Sequence, residues 1–352
     1  MVVRPIPEWS IMPIVARLSC LAGLLGIAAG CVKQSALVGY AVRPPCHDAL
    51  DVALFSFRSS FWLNLHNFLV WEARNRRALR NAPGSQDVIG LDTLRERTLS
   101  MADSVTWDNA VDYYLRAVLG RPKPDSVVIG VNNRLASSGD LPDSDPRYGS
   151  PEFSAVLQGV AATYRSVWWP QHDRWNREWI EVVAESVRRE GNCLSRELAT
   201  VFAAEWPAAP MQVDATVAAN WFGAYTTLDP PHITLSTSAI GNQSGHALES
   251  LLHEAGHSLL APIERRIATA YAQKRRLEPV PGQLAHSILF YTAGELVRMR
   301  RAHYVPYATR FGIWTRNENL REMRRRLDRH WQPYLRGRVT LSAAIEALVA
   351  SN

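Results

Sequence analysis

The pentapeptide His253-Glu254-Ala255-Gly256-His257 constrains the fold and chemistry of this chain more than any other stretch. Two histidines four positions apart lie almost one above the other on a helix of about 3.6 residues per turn, so both imidazoles are able to reach one metal ion. The glutamate beside the first histidine points to the side, where it is placed to act on a metal-bound water. The pentapeptide occurs by chance in many proteins, so the surrounding sequence has to decide.

The surrounding residues favour a zinc site on one helix. Apolar residues repeat at helical spacing between Gly245 and Leu260, and Pro262 is expected to end the helix. Two histidines and a glutamate within such a stripe would be costly to bury without a metal ion. Glu249, one turn before His253, is expected to orient that ring. We therefore predict that His253 and His257 bind one Zn²⁺ ion per chain.

A catalytic zinc site needs a third protein ligand and one open position. Position 263 is Ile, which excludes the pattern in which a third histidine follows six residues after the second. Glu295 is the expected third ligand, because it lies in an apolar segment of helical spacing and a buried acid needs a partner. Gly294 beside it would let two helices approach closely. The alternative is that Glu295 is a structural acid in a helix cap or a salt bridge.

His253-Glu254-x-x-His257 followed by Glu295 on a later helix resembles the gluzincin group of zinc metallopeptidases, over about residues 226 to 301. The resemblance implies a zincin-like fold, zinc ligands His253, His257 and Glu295, and Glu254 as the general base. It also implies a peptide or protein substrate, held by an edge strand that precedes the helix. The alternating segment His232 to Ser238 is expected to be that strand.

Hydrolysis by such a site also needs a hydrogen-bond donor for the oxyanion. Tyr291, one turn before Glu295 on the same helix face, is the favoured donor, and His286 is the second candidate. Two other functions stay open. The chain could be a zinc hydrolase of non-peptide amides or esters, or a non-catalytic envelope lipoprotein that retains zinc for structure. The presence of Glu254 argues against the non-catalytic lipoprotein, since a structural zinc site has no need for a general base.

The N-terminus has the features of an export signal. Arg17 precedes the apolar run Leu18 to Ala29, which is too short for a stable membrane span. The run ends in Ala28-Ala29-Gly30-Cys31, which resembles a bacterial lipobox. We therefore expect residues 1–30 to be a signal peptide and Cys31 to carry a lipid that anchors the protein to a membrane of the exported cell envelope. Cleavage by ordinary signal peptidase or an uncleaved anchor is the alternative.

Two further cysteines, Cys46 and Cys193, form an even pair once Cys20 is removed with the signal and Cys31 is lipidated. In an oxidising compartment, an even number of remaining cysteines predicts a disulfide bond between Cys46 and Cys193. The net charge of +6 comes partly from arginines that follow Glu295. For an exported protein, these charges indicate solvated helix faces or contact with anionic envelope polymers, and nucleic-acid binding is not expected.

The rest of the chain is predicted to be mainly α with a small β-sheet, in the α+β class. We expect a helical lobe over residues 46–205 and a zincin-like catalytic lobe with a helical C-terminus over residues 206–352. His66, within the first helix, is expected to be a hydrogen-bonded structural histidine. Helices are predicted at Ser60–Arg80, Val105–Leu119, Pro151–Trp168, Gln171–Arg189 and Leu194–Glu205, and strands at Met211–Val217, Trp221–Leu228 and His232–Ser238.

Overall fold

A computed structural model describes residues 53–81, 99–121, 124–138, 151–219, 223–228, 231–274 and 283–351. The predicted signal peptide (residues 1–30), Cys31 and Cys46 lie outside these ranges. Within them, no helix is both long enough and apolar enough to cross a bilayer. Cys193 is buried and takes part in a disulfide bond. Its pairing with Cys46 stays a prediction.

Six helices precede the main part of the sheet: α1 (Phe61–Asn81), α2 (Met101–Tyr113), α3 (Pro124–Ser138), α4 (Pro151–Val167), α5 (Trp169–Ser186) and α6 (Asn192–Val201). Helices α2 and α5 each continue into a π-helical turn, at Tyr114–Val118 and Val187–Gly191. The five predicted helices are confirmed, although the last ends before Glu205. Helix α3 was not predicted from the sequence.

The sheet has four strands, β1 (Phe55–Arg58), β2 (Met211–Thr216), β3 (Ala224–Leu228) and β4 (Pro231–Ser236), in the order β1-β2-β4-β3. Strands β1, β2 and β4 are parallel, and β3 is antiparallel to β4. The prediction that the segment from His232 forms the edge strand is wrong, because β4 pairs on both sides and β3 lies at the edge. Alternation in β4 reflects one apolar and one polar face, which an inner strand also shows.

The two faces of the sheet differ in polarity. On one face, Val213, Ala215, Ile233 and Leu235 pack in a buried cluster with apolar residues of helix α7 (His246–Gly256). The other face is polar: the Asp214 carboxylate accepts hydrogen bonds from His232 Nε2 at 2.8 Å and from Gln212 Nε2 at 2.6 Å. Gln212 Nε2 also donates to the Ala136 carbonyl of α3 at 3.3 Å. The apolar face therefore packs against α7 and, through Trp179 and Val183, against α5, while the polar face meets α3.

The remaining helices are α8 (Ala261–Gln273), α9 (Gln283–Arg300), α10 (Tyr307–Arg310), α11 (Glu318–Arg326), α12 (Gln332–Leu335) and α13 (Leu341–Ala350). Helix α7 ends at Gly256, where a 3₁₀ turn, His257–Leu259, begins. Pro262 therefore lies in the first turn of α8 and does not end α7. A Cβ at Gly256 would collide with Leu289 of α9, and one at Gly294 would lie 2.7 Å from Glu249 Oε1. These two glycines let α7 and α9 pack closely.

Candidate metal and catalytic centre

Three histidines converge where α7 packs on α9. His253 lies on α7, His257 at its C-terminal end and His286 in the first turn of α9. One possible ligand atom of each lies within 4.8 Å of the other two. The Nε2 atoms of His253 and His286 are 3.2 Å apart, and the His257 and His286 rings stack with centroids at 5.2 Å. We call these three residues the histidine cluster.

The antiparallel packing of α7 and α9 explains why His286 belongs to this cluster. Gly294 lies against Glu249, and Phe290 places its ring 4.4 Å from the ring of His253. Each step of four residues toward the start of α9 corresponds to a step of four residues toward the end of α7. His286 is therefore the residue that α9 places against His257.

Burial keeps the imidazoles of the histidine cluster neutral. It lowers the pKa of His253 well below its ordinary value, that of His257 to about 3, and that of His286 in the same direction. The neighbouring imidazoles of the cluster lower the pKa of His253 and His257 further. His253 Nδ1 is buried, and no described residue makes a hydrogen bond with it. Neutral imidazole is the form that binds a metal ion.

Glu254 directly follows His253 on α7 and is not one of the clustered ligand groups. Its side chain is buried, and Thr226 Oγ1 on β3 lies 2.7 Å from its Oε2 and 2.8 Å from its carbonyl oxygen. Burial raises the pKa of the Glu254 carboxyl to about 7, while the hydrogen bond from Thr226 acts in the opposite direction. A buried carboxylate with one hydroxyl donor thus directly follows His253 on α7.

Glu295, the expected third ligand, is not brought to the histidine cluster. It lies nine residues after His286 on α9, which is about 13 Å further along the axis and on the opposite side of the helix. Its buried carboxylate accepts hydrogen bonds from Arg298, with Nη2 2.5 Å and Nε 3.1 Å away. This is the salt-bridged structural acid that the sequence left open. His286, expected as an oxyanion donor, lies where a third ligand is needed.

Tyr291, the favoured oxyanion donor, also faces elsewhere. Its hydroxyl donates to Asp328 Oδ1 at 2.7 Å, and the Arg324 guanidinium lies over its ring at 4.6 Å. Burial raises the pKa of the Tyr291 phenol, and the hydrogen bond to Asp328 acts in the same direction. Since Tyr291 lies five residues after His286, a helix turns its side chain well away from the histidine cluster. The structure therefore gives Tyr291 a partner outside the cluster.

Glu249 does not orient His253 as expected. Its carboxylate accepts hydrogen bonds from the Tyr304 hydroxyl at 2.6 Å and from the Tyr307 backbone N–H at 2.8 Å. Burial raises the pKa of Glu249 to about 7, and these two hydrogen bonds oppose that shift. The residue joins α7 to the segment that enters α10. Neither this link nor the contact of Thr226 with Glu254 was foreseen, because both depend on pairing between distant segments.

Comparisons with protein-family models, with curated proteins and with solved structures find no match to this chain.

Proposed function

We propose that this chain is a zinc-dependent metallopeptidase whose ion is held by His253, His257 and His286. The observation that carries the proposal is the convergence of three neutral imidazoles, one of which, His253, directly precedes the buried Glu254. Two nitrogen ligands on tetrahedral zinc, with bonds of about 2.0–2.1 Å, are separated by about 3.3 Å. The Nε2 atoms of His253 and His286 are 3.2 Å apart, so this donor pair fits the ion. The proposed ligand set thus replaces Glu295 with His286.

Bound zinc would supply a Lewis acid that brings the pKa of a water molecule toward neutrality. Glu254, which directly follows His253, would serve as the general base for the attacking water and would return the proton to the leaving amine. The buried histidines stay neutral and available as ligands over the neutral pH range. Only Glu254 among these residues moves a proton.

The edge strand β3 favours peptides as substrates over other amides and esters. Strand β3 pairs with β4 on one side, and within the described ranges no strand pairs with its other side. Thr226 connects β3 directly to Glu254. An extended peptide that hydrogen-bonds to the free edge of β3 would therefore pass beside the general base. The ligands and base would serve a non-peptide amide equally well, so substrate choice has to be measured.

The test is hydrolysis of a pool of internally quenched fluorescent peptides by purified protein, with and without a chelator. We expect activity that the chelator removes and zinc restores. Glu254→Gln keeps the size of the side chain but removes its basicity, so hydrolysis should fall by about 10²-fold or more while zinc stays bound. Glu264→Gln, at an exposed position of α8, is the matched control and should be unchanged. Near-normal turnover by zinc-loaded Glu254→Gln would contradict the proposal.

A further inference from the structure

Strand β3 presents alternate residues to opposite sides, and only one of its threonines contacts Glu254. The Tyr225 hydroxyl contacts Asn132, and Thr227 Oγ1 lies 3.0 Å from Asn133 Oδ1, so both residues face α3. Thr226, between them, faces the end of α7. Since successive side chains of a strand point to opposite faces, the same strand offers a test residue and a matched control.

The Thr226 hydroxyl bridges two oxygens of one residue. Its Oγ1 lies 2.7 Å from Oε2 of Glu254 and 2.8 Å from the carbonyl oxygen of the same glutamate. A hydroxyl has one proton to donate, so it donates to one of these oxygens at a time. Within the described residues, Thr226 provides the only hydrogen bond to the Glu254 carboxylate. Without it, nothing polar would hold the carboxylate in one rotamer.

We propose that Thr226 is the positioning residue that fixes the Glu254 carboxylate toward the histidine cluster. This role rests on the proposed function, in which Glu254 is the general base. It also makes the substrate-binding strand the element that orients the base, because the backbone of β3 is free to pair with a peptide while its Thr226 side chain holds Glu254. The effect of removing the hydroxyl should therefore fall on kcat, with KM nearly unchanged, since peptide pairing uses backbone groups.

The kinetic test compares Thr226→Val, Thr226→Ser and, as the activity control, Thr269→Val at an exposed position of α8, on the fluorescent peptide that wild type cleaves best. Valine has the shape of threonine and suits a strand, so Thr226→Val should fold. We expect kcat to fall by about tenfold in Thr226→Val, a part of the 10²–10⁴-fold contribution of a whole acid–base group. Thr226→Ser should restore most of the loss, and Thr269→Val should match wild type. Zinc content should be unchanged in all three variants.

A second measurement is independent of activity. A double-mutant cycle combines Thr226→Val with Glu254→Ala in zinc-free protein, and the unfolding equilibrium constant is measured in urea. If the hydroxyl holds the carboxylate, the two substitutions should be non-additive by about tenfold in that constant, the size expected for one buried hydrogen bond. Thr227→Val with Glu254→Ala should be additive. Thr226→Ala provides a second cycle if Thr226→Val does not fold.

The outcomes separate this inference from the proposed function. Active wild type with equally active Thr226→Val, or an additive cycle, overturns the role of Thr226 and leaves the metallopeptidase proposal standing. Loss of zinc in Thr226→Val, with serine failing to restore kcat, assigns Thr226 a purely structural role and also overturns the inference. Wild type that cleaves no peptide overturns the proposed function, and the positioning role falls with it even if the cycle shows coupling.

Discussion

The buried histidines of the N-terminal helices and those of the histidine cluster have different partners. In the N-terminal helices, His66 Nδ1 lies 2.8 Å from the Tyr114 hydroxyl, and His172 Nδ1 lies 2.8 Å from the Tyr164 hydroxyl. This confirms the prediction that His66 is a hydrogen-bonded structural histidine. Burial lowers the pKa of His66 to about 3, as it does for His257 of the histidine cluster. Burial and a lowered pKa therefore do not distinguish the two regions.

The chemical nature of the neighbours does distinguish them. A phenol hydroxyl pairs with His66 Nδ1, whereas His66 Nε2 and His253 Nδ1 alike find no hydrogen-bond partner among the described residues. In the histidine cluster, the polar neighbour of His253 Nε2 is another imidazole, that of His286. Nitrogens that face one another at this distance suit either a shared hydrogen bond or, under the proposed function, a shared zinc ion. The mutual approach of the rings, and not burial, is therefore the feature on which the proposed ligand set rests.

The largest expected effect is on zinc content. Wild type purified without chelators should carry about one zinc ion per chain. His286→Ala should lose the ion, because it leaves two protein ligands where a catalytic zinc site has three. Glu295→Gln and His66→Gln should keep the ion, since neither side chain belongs to the cluster. Elemental analysis after dialysis measures this. Zinc retained by His286→Ala but lost from Glu295→Gln would mean that Glu295, and not His286, is the third ligand. The proposed difference between the two groups of histidines would then be wrong.

The next effect in size is stabilisation by zinc. An ion that binds only the folded chain adds about 2.7 kcal/mol to the free energy of unfolding when free zinc is 100 times its dissociation constant. Wild type and His66→Gln should both gain this amount in urea unfolding with buffered zinc. His257→Ala should gain far less. An equal gain in His257→Ala would place the stabilising ion outside the histidine cluster.

Local sequence patterns were enough to predict the helix that carries the motif. The spacing of His253 and His257 and the leucine stripe around them depend only on helical periodicity, which α7 obeys. The same holds for the long helices of the N-terminal region. The periodicity of apolar residues does not determine which segments pack against each other. Strand β1, with four residues, was missed, and the edge position of β3 depends on strand order.

The choice between His286 and Glu295 as the third ligand likewise depends on how distant segments pack. His286 and Glu295 lie on one apolar helix, and each alone is a plausible partner for the motif. Which of them meets α7 depends on how far the two helices slide past each other. The contacts of Gly256 and Gly294 set that register in the structure. Gly294 was recognised as a close-approach residue, but its partner on α7 was needed to place His286 instead of Glu295.

The smallest expected effect is the pH dependence of stability that the buried His66 causes. Its pKa falls from 6.5 to about 3 on burial, so between these values the unfolded chain binds a proton that the folded chain does not. Stability should therefore fall as the pH falls below 6.5, by about 1.4 kcal/mol per pH unit, or about 2 kcal/mol at pH 5. His66→Gln removes this titrating group, so urea unfolding of zinc-free protein at pH 7 and pH 5 should show a smaller acid loss than wild type. His303→Asn, at an exposed position, is the control and should lose as much stability as wild type. An undiminished acid loss in His66→Gln would mean that His66 is not held neutral by burial, and the likeness between the two regions would disappear.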